Sequence, residues 1–175
     1  MKYAAASLLA LLISFTTFSQ KEKGKDYFLV DFSAWDSLSG TDRATIDSLI
    51  PLYHSARSDT TRFSILNTLT ERLNETRLWT QYNLLVHDKT NTILRSGEKL
   101  QEKVERAVKK YYASSLQTLG YYQENTLGNL PKAMEYYYEA KKIQEEIQDL
   151  RGLGFTINNM AKIVTPKPPP TFIML

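Results

Sequence analysis

The chain has 175 residues, room for one domain or one short solenoid, and its 42% hydrophobic content can furnish a core. Its 22 basic and 19 acidic residues leave a net charge of +3 and interleave, as in Glu98-Lys99 and Glu102-Lys103, so no gathered basic face marks a nucleic-acid footprint. There is no cysteine, which excludes disulfides, thiolate nucleophiles, thiolate-held zinc and lipid attachment at an N-terminal Cys.

Residues 1–19 read as an export signal. Lys2 supplies the positive charge, an apolar run interrupted only by Ser and Thr spans 4–18, and the hydrophilic Lys21-Glu22-Lys23-Gly24-Lys25 follows. The run is short for a membrane span, which needs about 20 residues. Cleavage is expected near Ser19-Gln20, giving a periplasmic or secreted protein. The alternative is an uncleaved anchor in the inner membrane, which would be the chain's one membrane contact.

Residues 20–57 form a lead-in. Residues 27–40 carry Phe28, Leu29, Val30, Phe32 and Trp35 among Asp and Ser, an irregular or short extended stretch. A helix is predicted over 41–56, with Thr41 as its cap and Asp42 at the positive end of its dipole. Pro51 removes a backbone donor inside that span, so a kink or a break is expected there.

Residues 58–164 read as helical repeats. Ser58-Asp59-Thr60-Thr61 is a helix-start signal, and Phe63, Leu66, Leu69 and Leu73 make one helical face. Asn74-Glu75-Thr76 breaks the pattern; it also spells a glycosylation sequon, read here as coincidence. A long helix is predicted over 78–104, with Tyr82, Val86, Ile93, Leu94, Gly97, Leu100 and Val104 on one face and Gly97 as a point of close helix approach. Two internal similarities point to a repeat. Residues 97–104 parallel 140–147 at an offset of 43, and residues 116–120 parallel 157–161 at an offset of 41.

No chemistry-bearing constellation emerges. His54 and His87 lack the i, i+4 partner of a helical metal site. The adjacent Glu145-Glu146 point in different directions on a helix. Gly152-Leu153-Gly154 lacks the glycine and strand of a dinucleotide site and reads as a loosened joint. Neither catalytic residue nor cofactor nor metal is expected. The paired tyrosines 111–112, 121–122 and 136–138 read as packing between helices.

Leu116, Leu119 and Gly120, the turn Gly128-Asn129 with Pro131 after it, and Ala133, Tyr137 and Ala140 carry a resemblance. Residues 113–164 resemble a tetratricopeptide repeat followed by the first helix of the next, with a turn one residue longer than usual and a period above the family's about 34. The resemblance implies an all-α fold, an antiparallel helix-hairpin right-handed solenoid, and a non-enzymatic module that binds a protein or peptide. Partner peptides of that family lie along the first helices. This implies a concave face with Ser114, Gln117, Tyr121 and Glu124 from one unit and Phe155, Asn158 and Lys162 from the next.

The order of Asp47-Ser48-Leu49, Ser58-Asp59-Thr60-Thr61-Arg62, Trp79 and Tyr82-Asn83 before the repeats is similar to the exported sensor region of Bacteroidetes-type signalling proteins. That resemblance implies part of an exported sensor. The alternative is a regulatory fragment of a histidine kinase, nucleotide cyclase or transcription regulator whose output domain lies elsewhere. The helix over 152–164 has a first-helix face without a second helix. Residues 165–175 are Pro-rich, cannot continue a helix and are expected to be disordered. The solenoid therefore reads as short and truncated, with self-association through its uncapped last helix.

Overall fold

A computed structural model describes residues 25–31 and 35–165; the expected export signal and the Pro-rich residues 166–175 lie outside them. Among the described residues the chain is all-α, with seven α-helices, one 3-10 turn and no strand. The helices are α1 Lys25–Phe28, α2 Gly40–Ser55, α3 Asp59–Arg72, α4 Thr76–Arg95, α5 Glu102–Asn125, α6 Leu130–Glu146 and α7 Leu150–Val164. From α2 onward each helix packs on the next in chain order, and the alternate helices α3, α5 and α7 also touch in sequence.

The lead-in, expected to be irregular or short extended, holds the short helix α1 and the 3-10 turn Trp35–Ser37, with irregular backbone at 29–31 and 38–39. It docks through Phe28 and Val30, which are buried with Ile46, Ile50, Leu66, Leu69, Leu78 and Tyr82. Tyr82 Oη donates to the Phe28 carbonyl at 3.0 Å, which fixes the lead-in to the middle of α4.

Local signals account for most helix starts. Ser58 Oγ accepts from the Thr61 amide at 3.2 Å, Asn129 Oδ1 from Lys132 at 3.1 Å, and Asp149 Oδ1 from Gly152 at 3.2 Å. The cap of α2 is Ser39, not Thr41, and its Oγ accepts from the Asp42 amide. Asp42 does more than face the helix dipole. Its carboxylate is buried and takes the Asn74 amide at 2.9 Å, the Asn74 side chain at 3.1 Å and the Glu75 amide at 3.2 Å. Three bonds offset its desolvation and tie the α3–α4 turn to α2.

Two sequence expectations are corrected. Of the kink or break expected at Pro51 the break does not occur: α2 continues through Pro51, which lies on the exposed side while Ile50 and Tyr53 on either side of it are buried. The burial of that face holds the helix across the lost backbone bond. The single helix expected over 78–104 is two helices. α4 ends at Arg95, and Gly97 follows with φ 71°, the left-handed conformation that closes many helices. A Cβ built on Gly97 meets nothing, so Gly97 is a stop and not a contact. Consequently residues 97–104 and 140–147, similar in sequence, lie in different settings: the first pair spans a loop and a helix start, the second lies within α6 and its cap.

The α5–α6 hairpin is the tightest joint. Ala133, Tyr137 and Ala140 of α6 are fully buried against a face of α5 that includes Leu116, Leu119 and Gly120. A Cβ at Gly120 would stand 2.5 and 2.7 Å from two carbons of the Tyr137 ring. That ring has little room to retreat, because it is buried and its hydroxyl donates to Glu124 Oε2 at 2.7 Å. The long turn after Gly120 is absorbed at the end of α5: the Asn129 amide reaches back to the Gln123 carbonyl at 2.8 Å, and Gly128 takes φ 66°. Gly152 and Gly154 form no loose joint; both lie in the opening turns of α7.

Two glycines in helix interiors should therefore respond oppositely to alanine. Gly120→Ala forces Tyr137 to move and should cost about 1–3 kcal/mol. At Gly154 the added Cβ meets nothing, so Gly154→Ala should stabilise by about 0.5–1 kcal/mol through helix propensity. Urea unfolding of the two variants beside the parent chain measures both signs.

Candidate functional site

The alternation of helices brings α3, α5 and α7 to one side of the molecule, where they line a groove of about 670 Å³. α3 offers Ser64, Asn67, Thr68 and Glu71, a polar stripe at i, i+3, i+4 and i+7. α5 adds Lys110, Tyr111, Ser114, Gln117 and Thr118, and α7 adds Arg151 and Phe155. Gln144, near the end of α6, closes the floor.

The walls are joined by hydrogen bonds between helices. Ser114 Oγ donates to Asn67 Oδ1 at 2.9 Å, and Asn67 Nδ2 donates to Glu71 Oε1 at 2.7 Å. Gln144 Nε2 reaches Gln117 Oε1 at 3.5 Å, a long contact. Gln144 Oε1 is buried without a hydrogen-bond partner. Its carboxamide lies under α7, for a Cβ at Gly152 would come within 2.9 Å of Nε2. Gly152 thus lets the last helix settle over the floor. Arg151 stacks its guanidinium 5.9 Å from the Phe155 ring centroid, which holds a cation on the α7 wall; Lys110 and Asp149 also line the groove.

Of the seven residues expected on the concave face, Ser114, Gln117 and Phe155 line this groove. Tyr121, Asn158 and Lys162 are exposed along the same helices but outside its lining, and Lys162 Nζ donates to Asn159 at 3.3 Å. Glu124 is half-buried and engaged with Tyr137, so its carboxylate serves the α5–α6 joint. Sequence reasoning missed Asn67, Lys110 and Gln144. The polar stripe of α3 was a usable signal for Asn67, whereas Gln144 comes into play only through a turn and a glycine that follow it.

The histidines stand apart. His54 stacks on Tyr27 at 5.1 Å, with Nε2 2.7 Å from the Tyr27 carbonyl, and His87 pairs with Asp88. Among the described residues no three His, Asp or Glu side chains gather in a way that could hold a metal ion, and no helix is long and apolar enough to cross a membrane. Comparison with known proteins finds no matching family model, no matching curated protein and no matching solved structure.

The tyrosines at the hairpin make stability depend on alkaline pH. Burial first, and then the bond to Glu124, raises the Tyr137 phenol above its ordinary value. Burial first, and then the bond to Glu139, pushes Tyr112 up to about 12. The folded chain keeps these protons longer than the unfolded chain. The Tyr112 contribution is therefore fully present below the unfolded value of 10.0 and is lost as pH rises through about 12. Unfolding free energy from urea titrations should fall over that window, and Tyr112→Phe should lessen the slope by up to about 1.4 kcal/mol per pH unit.

Proposed function

We propose that this chain is a short tetratricopeptide-like, right-handed solenoid that binds an extended peptide or protein segment in the α3–α5–α7 groove and catalyses no reaction. The observation that carries this reading is the groove's composition: carboxamides and hydroxyls from alternate helices along an open channel. Carboxamides can meet both the N–H and the C=O of an extended backbone. Lys110 and Arg151 can meet a carboxylate of the ligand, and Glu71 and Asp149 of the same lining can meet a basic group. The part-exposed chain from Ser114 to Asn67 to Glu71 couples serine to a carboxamide and not to a base, which favours recognition over acyl transfer. With residues 1–19 as an export signal, the module works outside the cytoplasm as part of a sensor.

Selection of a displayed random-peptide library on the immobilised chain tests this. Selected peptides should bind with an affinity that falls about tenfold in Gln117→Ala and in Lys110→Ala, about 1.4 kcal/mol each. Lys142→Ala, on the exposed outer side of α6, should leave it unchanged. Failure to select any peptide sensitive to the groove variants, or hydrolysis of ester, phosphate or peptide substrates abolished by one substitution, would defeat the reading.

A further inference from the structure

A second cavity, of about 540 Å³, lies away from the groove, where the lead-in, the end of α2, the start of α3 and the second half of α4 meet. Its apolar lining comes from Leu29, Tyr53, Phe63 and Ile93. An apolar lining of this size with a few polar groups among it suits a small molecule.

Tyr53 is the feature of this cavity that packing leaves unexplained. Four tyrosines are buried among the described residues. Tyr82, Tyr112 and Tyr137 each donate to a protein oxygen. Tyr53 is only 8% exposed, yet its hydroxyl makes no hydrogen bond among the described residues. Nor is that hydroxyl sealed in, as the unpaired Gln144 Oε1 and Thr156 Oγ1 are. Burial raises the phenol above its ordinary value, Arg62 acts to lower it and Asp59 to raise it, and both of these ions line the cavity. The hydroxyl therefore opens toward the cavity. The backbone is unusual at the same place. Leu29 has φ 69°, the left-handed region that an L side chain seldom enters. Phe28 and Val30 on either side of it are buried in the core, and Leu29 itself, half-buried, lines the cavity. Strain of this kind gathers at ligand sites.

The polar lining decides what the hydroxyl can meet. Asp59 accepts from Arg62 Nη1 at 2.8 Å, and Asp88 pairs with His87 Nδ1 at 3.1 Å. His54 Nε2 is engaged with the Tyr27 carbonyl, and the Thr92 hydroxyl donates to the Asp88 carbonyl. Lys89 has no partner among the described residues, and Arg62 commits one of its five N–H donors to Asp59. The charges of Asp59, Asp88, Arg62 and Lys89 cancel, so selection rests on the unused groups, and those are donors. We infer that this cavity binds a small organic carboxylate with an apolar, ring-sized body: the body rests on Leu29, Phe63 and Ile93, one carboxylate oxygen takes the Tyr53 hydroxyl, and Arg62 and Lys89 meet the charge.

Titration of the full chain with 3-phenylpropanoate, 3-phenylpropanamide and 3-phenylpropylamine, followed by amide shifts in proton–nitrogen correlation spectra, tests this. The propanoate should bind at least about fivefold more tightly than the amide, and the amine most weakly. Shifts should appear at residues 29, 53, 63 and 93 and not at 114–117. Tyr53→Phe removes a hydroxyl that has no protein partner, so it should leave thermal stability unchanged while weakening the propanoate about tenfold. Lys89→Ala, at an exposed side chain that cannot unfold the protein, should weaken it about threefold. Gln117→Ala should leave it unchanged, so this cavity and the peptide groove succeed or fail separately. No binding of any of the three compounds, shifts confined to the groove, equal affinity for the propanoate and the amine, or full affinity in Tyr53→Phe would each overturn the inference.

Discussion

The approach of Tyr137 to Gly120 is the constraint on which the rest of this structure depends. A helix pair can come this close only where one partner lacks a side chain, and here the missing Cβ of α5 is replaced by an aromatic ring of α6. The ring's hydroxyl is then anchored by Glu124 one turn further along α5, so the two helices are fixed in rotation as well as in distance. That rotation leaves Ser114 facing Asn67 of α3 and Gln117 in the groove, where Gln144 of α6 reaches it. The groove exists because the hairpin is tight on its other side.

Polar groups buried between helices supply a second layer of positioning. Asn83 of α4 donates to the Ser115 carbonyl of α5 at 3.0 Å, and Ser115 Oγ donates to the Tyr112 carbonyl at 2.7 Å. Asp42 is satisfied three times over at the α3–α4 turn. At α7 the pattern changes: Thr156 Oγ1, the counterpart of Ser115, is buried without a partner, as is Gln144 Oε1 beneath it in the chain order. An unpaired buried polar group costs about 1–3 kcal/mol. Among the described residues the α6–α7 joint is thus the helix junction that leaves buried polar groups unpaired.

Helix existence was legible in the sequence wherever the signal was local. Ser58, Asn129 and the turn Gly128-Asn129 act through backbone groups two or three residues away, so the residues that specify the cap are adjacent to the helix they start. The failures share a cause. Gly97 was read as a contact glycine because its spacing fitted the apolar face of α4, but a stop glycine and a contact glycine have the same side chain; only φ distinguishes them. Arg95-Ser96 just before it, a basic last turn followed by a capping residue, was the local signal for the stop. Pro51 was given too much weight because propensity ignores the buried face on either side of it. Ser114, Gln117 and Phe155, which the resemblance implied together with the helical register, lie in the lining of the groove. Glu124 does not, since its partner Tyr137 lies across a turn whose extra residue changes which way the end of α5 faces.

The same offset of 41 that was visible as a short likeness between 116–120 and 157–161 extends, in three dimensions, over most of a helix. Lys110 and Arg151 match on the groove side, Ser115 and Thr156 on the buried side, and Leu116 and Ile157 on the side that receives a following helix. A helix with three distinct faces needs three distinct neighbours. α5 has all three in α4, α6 and the groove with its flanking helices. α7 retains those residue types, and among the described residues it packs on α6 and α5. The likeness is therefore one of whole helices, carried by their faces and not by five matching residues alone.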